Sequence, residues 1–370
     1  MKVLVAPDKF KGSLTAAGVA SAVAAGLADV HPGLTVRTLP VADGGDGTVA
    51  AAVAAGFRRV RVPARGPTGV PMTASYAVRG DTAVVELAEA SGLHRLPGPP
   101  APLTATSAGT GDVLAAAVRA GCRRIVLGVG GSACTDGGAG MLTALGARLR
   151  DGAGRELPPG GAALVRLASL DLSGVDLSEV DVELAGDVDN PLCGPDGAAF
   201  VYGPQKGASP DDVEVLDAAL RHWASIAGPE FAERPGAGAA GGVGFAAMAV
   251  LGARRRPGIE LLLDLLGFDA VLAGASLVVT GEGALDRQTL SGKAPAGVAR
   301  AAAAKGIPCV AVSGRCALSA AELAEAGISA AYALTDLEPD PGRCMAEAAP
   351  LLRRLAHRVA VDHLPANSNE

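Results

Sequence analysis

The chain has 370 residues, 49% of them hydrophobic and only 3% aromatic. That length exceeds what one ordinary core serves, and the hydrophobic share excludes a disordered chain, so two domains with cores of Ala, Val and Leu are expected. The net charge of −6 is spread without a basic block, which argues against nucleic acid as a partner but leaves room for a small anionic substrate held by a few lysines.

Residues 2–6 read as a buried strand, and residues 14–27 as a helix with Ser13 as its N-cap. Between them lies Asp8-Lys9-Phe10-Lys11-Gly12-Ser13. Two lysines and a hydroxyl at a helix start make either a seat for a carboxylate or phosphate or a solvated turn. A second strand, 34–39, leads into Asp43-Gly44-Gly45-Asp46-Gly47-Thr48 and a helix over 48–55. Two carboxylates among three glycines suit a hard cation beside substrate oxygens, or an Asp/Gly turn. The βαβα order opens a parallel sheet with right-handed crossovers.

The rhythm then changes. Short strands at 58–62, 72–78 and 83–87, separated by Gly/Pro turns, predict hairpins and a domain boundary near Pro63. From there to about Asp264 the pattern predicts helices at 110–120, 139–149, 211–227 and 242–251, and strands at 124–129 and 182–185. Residues 128–140 hold six glycines in thirteen positions, with Ser132 and Thr135, between a strand and a helix. A backbone phosphate nest needs such a composition, and Gly130, Gly131, Ser132, Thr135, Gly137 and Gly138 are its candidates. Asp187-Val188-Asp189-Asn190-Pro191 follows a strand, so its alternate carboxylates face one ligand or form an Asx-rich turn. Residues 236–241 match GxGxxG, but no strand precedes them, which weakens a dinucleotide reading. The uncharged run 236–253 has six glycines in 18 residues and makes a poor membrane span.

After Asp264 the βα rhythm returns: strands at 277–280, 308–312 and 330–334 alternate with helices at 295–305, 319–326 and 343–359. The first of these strands runs into Gly281-Glu282-Gly283-Ala284-Leu285-Asp286-Arg287-Gln288-Thr289-Leu290-Ser291-Gly292-Lys293, a charged, Gly-rich loop ahead of an Ala-rich helix. Strand, polar loop, helix is where α/β proteins place ligand chemistry. The fold class expected is therefore α/β: residues 1–62 plus 265–370 as a flavodoxin-like domain with a five-stranded parallel sheet, and 63–264 as an inserted α/β domain. A strand order of 2-1-3-4-5 puts the switch point between the strands at 3–6 and 277–280. Asp8, Lys9, Lys11 and Ser13 then face Glu282, Asp286, Ser291 and Lys293.

Six cysteines show no CxxC spacing, so free thiols in a reducing cytosol are expected, and the N-terminal apolar run is too short for a signal peptide. There is no GxxxxGK[ST] and no HExxH, and the five histidines lie outside every polar loop. Carboxylates, lysines, hydroxyls and anion nests are the inventory of phosphoryl transfer.

Together Val5-Ala6-Pro7-Asp8-Lys9-Phe10-Lys11-Gly12-Ser13-Leu14, Ala42-Asp43-Gly44-Gly45-Asp46-Gly47-Thr48, Gly130-Gly131-Ser132-Ala133-Cys134-Thr135-Asp136-Gly137-Gly138, Asp187-Val188-Asp189-Asn190-Pro191-Leu192, Thr280-Gly281-Glu282-Gly283 and Gln288-Thr289-Leu290-Ser291-Gly292-Lys293 resemble the type 1 glycerate kinase family. The matches run in order over most of the chain. The resemblance implies ATP-dependent phosphorylation of D-glycerate with Mg²⁺ in the cytoplasm, 2-phosphoglycerate ahead of 3-phosphoglycerate as product, and a Rossmann-like domain carrying an inserted α/β domain. Roles follow from chemistry and placement. Lys9, Lys11 and Ser13 suit the substrate carboxylate, and Asp43, Glu282, Asp286 and Ser291 the rest of the substrate. Gly130 to Gly138 suit the ATP phosphates, Asp187 and Asp189 Mg²⁺, Lys293 the transferred group, and Asp8 the hydroxyl that is deprotonated. Neither nucleic acid nor membrane is expected as a partner, and the chain is a monomer or a homodimer. Three other readings stay open: a ribokinase-like kinase using Asp112, from Gly109-Thr110-Gly111-Asp112, an NAD-dependent oxidoreductase, and a non-catalytic binding protein.

Overall fold

A computed structural model describes residues 1–290 and 292–365. Its strands are β1 (Lys2–Pro7), β2 (Thr35–Thr38), β3 (Arg58–Arg65), β4 (Pro71–Arg79), β5 (Thr82–Glu86), β6 (Arg124–Gly128), β7 (Arg148–Asp151), β8 (Leu167–Asp171), β9 (Asp181–Ala185), β10 (Arg254–Arg256), β11 (Leu277–Leu285), β12 (Cys309–Cys316) and β13 (Ala330–Ala333). The chain divides into two compact units: residues 1–43, 50–55 and 259–370, and residues 44–49 and 56–258.

The first unit holds a five-stranded, all-parallel sheet in the order β13-β12-β11-β1-β2. This is the expected 2-1-3-4-5 order, with the switch point between β1 and β11, where Ala6 lies opposite Thr280 and Pro7 opposite Gly281. Val3, Val5, Leu277, Val279, Val310 and Val312 are fully or almost fully buried, as the apolar runs of a sheet covered on both faces require. They pack in one cluster with residues of the helices Ala16–Val30 and Ala348–His363, such as Val23, Leu27, Leu352 and Leu355. The first helix starts later than the sequence suggests. Phe10 and Leu14 exchange two backbone hydrogen bonds, so the turn closes before the helix begins, and Thr15, not Ser13, caps it by accepting from the Gly18 amide at 3.1 Å.

The second unit holds a six-stranded sheet, β10-β9-β6-β5-β4-β3, with β3, β4 and β5 antiparallel as expected and the rest parallel. The helix expected over 139–149 stops at Ala144; a turn with Gly146 at φ +110° follows, and β7 pairs with β8 in a separate two-stranded ribbon. The longest helix, Pro210–Ala227, has Pro at its first position and a capping box between Ser209 and Asp212. Its Trp223 is fully buried and packs edge-on against Phe245 at 6.1 Å. No helix among the described residues is long and apolar enough to cross a membrane.

Candidate active site

In the first unit, β1 ends at Pro7 and the Asp8 amide donates to the Gly281 carbonyl at 2.8 Å, which sets Asp8 beside the carboxyl end of β11. Asp8 Oδ1 accepts the Lys9 amide at 2.6 Å. Burial first, then the charge of Asp43 and more weakly that of Glu282, push the Asp8 carboxyl up to about 8 against the pull of the Lys9 amide and ammonium. Glu282 is buried on β11, and burial raises it too; its Oε1 accepts the Thr289 hydroxyl, and Lys293 Nζ stands 3.7 Å from its Oε2. Thr289 Oγ1 also accepts the Asp286 amide at 3.1 Å, and Asp286 Oδ1 accepts the Gln288 amide at 2.9 Å, so the loop folds onto Glu282 through its own side chains. Lys293 occupies the N-cap position of the helix Ala294–Ala303 without capping it, and its ammonium turns to Glu282.

The structure therefore gathers Asp8, Asp43, Glu282 and Lys293 at the switch point. Lys11 is exposed and Ser13 half-buried on the turn before the first helix. Ser291 lies outside the described residues. Two residues that the sequence did not single out belong to the same place. Thr289 orients Glu282. Ser313 lies opposite Glu282 in register on β12 and is fully buried, its hydroxyl without a partner among the described residues. Nothing local marks either; only the strand register brings Ser313 there.

In the second unit, Glu86, Gly128 and Ala185 end three adjacent parallel strands at one level. The segment 44–49 lies against this row: a Cβ on Gly130 would fall 2.4 Å from Gly45 Cα, so only glycine fits. Glu86, buried, accepts the Gly47 amide at 3.0 Å and the Val49 amide at 2.9 Å at the start of the helix Thr48–Ala54. Burial nevertheless pushes its carboxyl up to about 7.

The Gly-rich loop has two halves. Gly130 and Gly131 keep solvent exposure, and Ser132 forms an antiparallel bridge with Gly92. From Cys134 to Gly138 every residue is buried. Gly137 donates its amide to the Gly241 carbonyl at 2.9 Å, and Gly138 donates to Asp136 Oδ1 at 3.2 Å. The Thr135 hydroxyl is buried without a partner among the described residues. Thr135, Gly137 and Gly138 thus face the interior, and so does Ser132, which is 6% exposed, while Gly130 and Gly131 keep solvent exposure. Asp136, which the sequence left unremarked, organises the buried half.

Asp187 accepts the Gly258 amide at 2.6 Å, and Asp189, exposed, accepts from Arg255 at 2.7 Å. Both already serve donors, and no group of three or more His, Cys, Asp or Glu among the described residues is arranged to hold a metal ion. Asp112 takes three hydrogen bonds from Arg65, at 2.9, 2.9 and 2.6 Å, and is committed to holding β3 on its helix. Residues 236–241 follow no strand; Ala240, Gly241 and Gly242 all take left-handed conformations, and Gly241 braces Gly137. That is packing, not a dinucleotide turn.

Comparison with known proteins agrees over the whole chain. The model of the glycerate kinase family matches residues 3–363. A glycerate kinase from Bacillus subtilis (strain 168) is 46% identical over 344 residues, covering 90% of each chain. A glycerate 2-kinase from Escherichia coli (strain K12) is 41% identical over 345 residues, again covering 90% of each. A crystal structure from Salmonella typhimurium LT2, described as a candidate glycerate kinase 2, superposes with a TM-score of 0.84 at 43% identity, covering 98% of each chain.

Proposed function

The chain belongs to the glycerate kinase family, and from that premise we propose that it transfers the γ-phosphoryl group of ATP to the 2-hydroxyl of D-glycerate, giving 2-phosphoglycerate. It is an ATP-dependent phosphotransferase; the choice of the 2-hydroxyl is supported by the E. coli relative described as a glycerate 2-kinase. The observation that carries the mechanism is the placement of Asp8 at the switch point, where its amide bonds the Gly281 carbonyl beside Asp43, Glu282 and Lys9 and burial raises its carboxyl to about 8. A base whose pKa sits near the working pH is both available and strong enough to accept a proton. As the substrate oxygen bonds to the γ-phosphorus, Asp8 takes the hydroxyl proton, and the bridging P–O bond breaks with its electron pair leaving on ADP. Lys293 meets the charge that develops on the moving group. Lys9, Lys11 and Ser13 hold the substrate carboxylate, while Asp43, Glu282, Asp286 and Ser291 bound the rest of the substrate. Gly130, Gly131 and Ser132 receive ATP phosphates.

Mg²⁺ enters as part of the Mg·ATP substrate, in keeping with a cation that usually takes one or two carboxylates alongside phosphate oxygens. All six cysteines are free thiols, which suits a reducing compartment, and we assign the enzyme to the cytoplasm. The test is a steady-state assay of ADP release from Mg·ATP with D-glycerate, glycolate and D-ribose as acceptors. Turnover with D-glycerate alone supports the reading, and preference for the sugar overturns it.

A further inference from the structure

The buried half of the Gly-rich loop is tied from behind by groups that the reaction does not use. Asp136, 1% exposed, accepts from Thr106 Oγ1 at 3.2 Å, Ser107 N at 2.8 Å, Ser107 Oγ at 2.9 Å, and the Gly138 and Gly140 amides at 3.2 Å each. Ser107 Oγ in turn accepts the Met141 amide at 2.9 Å. Beside this knot lies Lys206, a lysine only 2% exposed, whose Nζ donates to the Cys134 carbonyl at 2.5 Å. On the other side Trp223 Nε1 donates to the Gly137 carbonyl at 3.0 Å, so close that a Cβ on Gly137, itself at φ +63°, would lie 2.5 Å from Trp223 Cδ1.

A fully buried ammonium is an expensive way to fill space. Burial holds Lys206 below the usual lysine range against the weaker pull of Cys134 and Asp136, and the acceptor of its ammonium among the described residues is the Cys134 carbonyl. A methionine would occupy the same volume without that desolvation. Besides answering the charge of the buried Asp136, the ammonium adds direction: it fixes the Cys134 carbonyl two residues after Ser132, as the indole fixes Gly137 at the far end.

Given that Gly130, Gly131 and Ser132 meet the ATP phosphates, as proposed above, we propose that Lys206 and Trp223 are positioning residues for ATP. They hold the back of the loop so that its accessible edge is preformed, which spares nucleotide binding the cost of ordering it.

Trp223 is the only tryptophan in the chain and bonds directly to the loop, so it also reports on it. Titrating the wild type with Mg·ATP should change its fluorescence, saturating near the KM for ATP. Lys206→Met removes the charge and keeps the length; Trp223→Phe removes the N–H and keeps a ring against Phe245. Each is expected to raise the KM for ATP roughly 3- to 10-fold, the worth of one net hydrogen bond, with the KM for glycerate unchanged. If Lys206→Met fails to fold, Trp223→Phe carries the test. An unchanged KM for ATP in folded variants overturns the positioning role, and so does an equal rise in both KM values, which means general loosening. A silent tryptophan in an enzyme that does phosphorylate glycerate removes the loop from nucleotide binding and overturns the reading beneath it; a responsive tryptophan with unchanged variants overturns the positioning role alone.

Discussion

At the scale of single residues, the proposed chemistry rests on two side chains that the sequence marked and one environment that it did not. Asp8 is a poor base at an ordinary carboxylate pKa. Burial and the neighbouring Asp43 make it a fit one, and they do so at a cost in stability. Between its ordinary 3.8 and the folded value of about 8, the native state binds more protons than the unfolded one, so stability falls as pH rises through that window. Glu86, raised from 4.5 to about 7, adds to the same trend. Asp8→Asn should therefore lower kcat by roughly two to four orders of magnitude while raising Tm at pH 8.5 and flattening the decline of Tm between pH 5 and pH 9. Thermal melts across pH, beside kcat, check both halves; an asparagine variant that is inactive but follows the wild-type pH trend would leave Asp8 without its raised pKa. In the wild type, kcat/KM for glycerate should rise with pH to a plateau above about 8, a value that belongs to the interacting group Asp8, Asp43 and Glu282 together. Lys293→Ala should lower kcat by roughly two to three orders of magnitude, with a smaller change in the KM for glycerate and only partial rescue by arginine. Near-normal kcat in that variant would reduce Lys293 to a partner of Glu282.

At the scale of elements, the parallel sheet was legible because apolar runs alternate with Ala-rich helices and polar loops, and the two loops flanking the switch point were legible by their charge. What was not legible depends on partners far away in the chain. Ser13 and Thr15 are both hydroxyls ahead of an Ala-rich run; the choice of Thr15 follows from the Phe10–Leu14 bridge. Arg148-Leu149-Arg150-Asp151 reads as the end of a helix until β8 supplies its strand partner. Asp136 looks like one more residue of a Gly-rich loop, yet it ties Ser107, 29 positions earlier and just ahead of the helix Ala108–Arg119, to the first turn of the helix Ala139–Ala144. Composition points to a nest across the whole loop; of its candidates, Gly130 and Gly131 keep solvent exposure and the others are buried. Removing Asp136 strands several buried donors at once, so Asp136→Ala should cost about 3–5 kcal/mol in urea unfolding, and Asp136→Asn less. A loss under 1 kcal/mol for the alanine variant would mean water takes over those donors.

At the scale of the whole molecule, two α/β units each bring a loop system to the carboxyl ends of parallel strands: Asp8, residues 281–290 and Lys293 in one, residues 44–49 and 130–132 in the other. The carboxylates at Asp187 and Asp189 are engaged with Gly258 and Arg255, so the metal requirement should belong to the nucleotide and not to the fold. EDTA should abolish turnover and leave Tm in the absence of nucleotide unchanged; a fall in Tm on chelation would reveal a structural ion. The central claim, phosphoryl transfer from ATP to the 2-hydroxyl of D-glycerate, is met most directly by proton-coupled phosphorus NMR of the product formed from Mg·ATP and D-glycerate. The account predicts a single new monoester resonance split into a doublet by the lone proton on C2, as in 2-phosphoglycerate; a resonance split by the two protons on C3, or no new monoester, would contradict it.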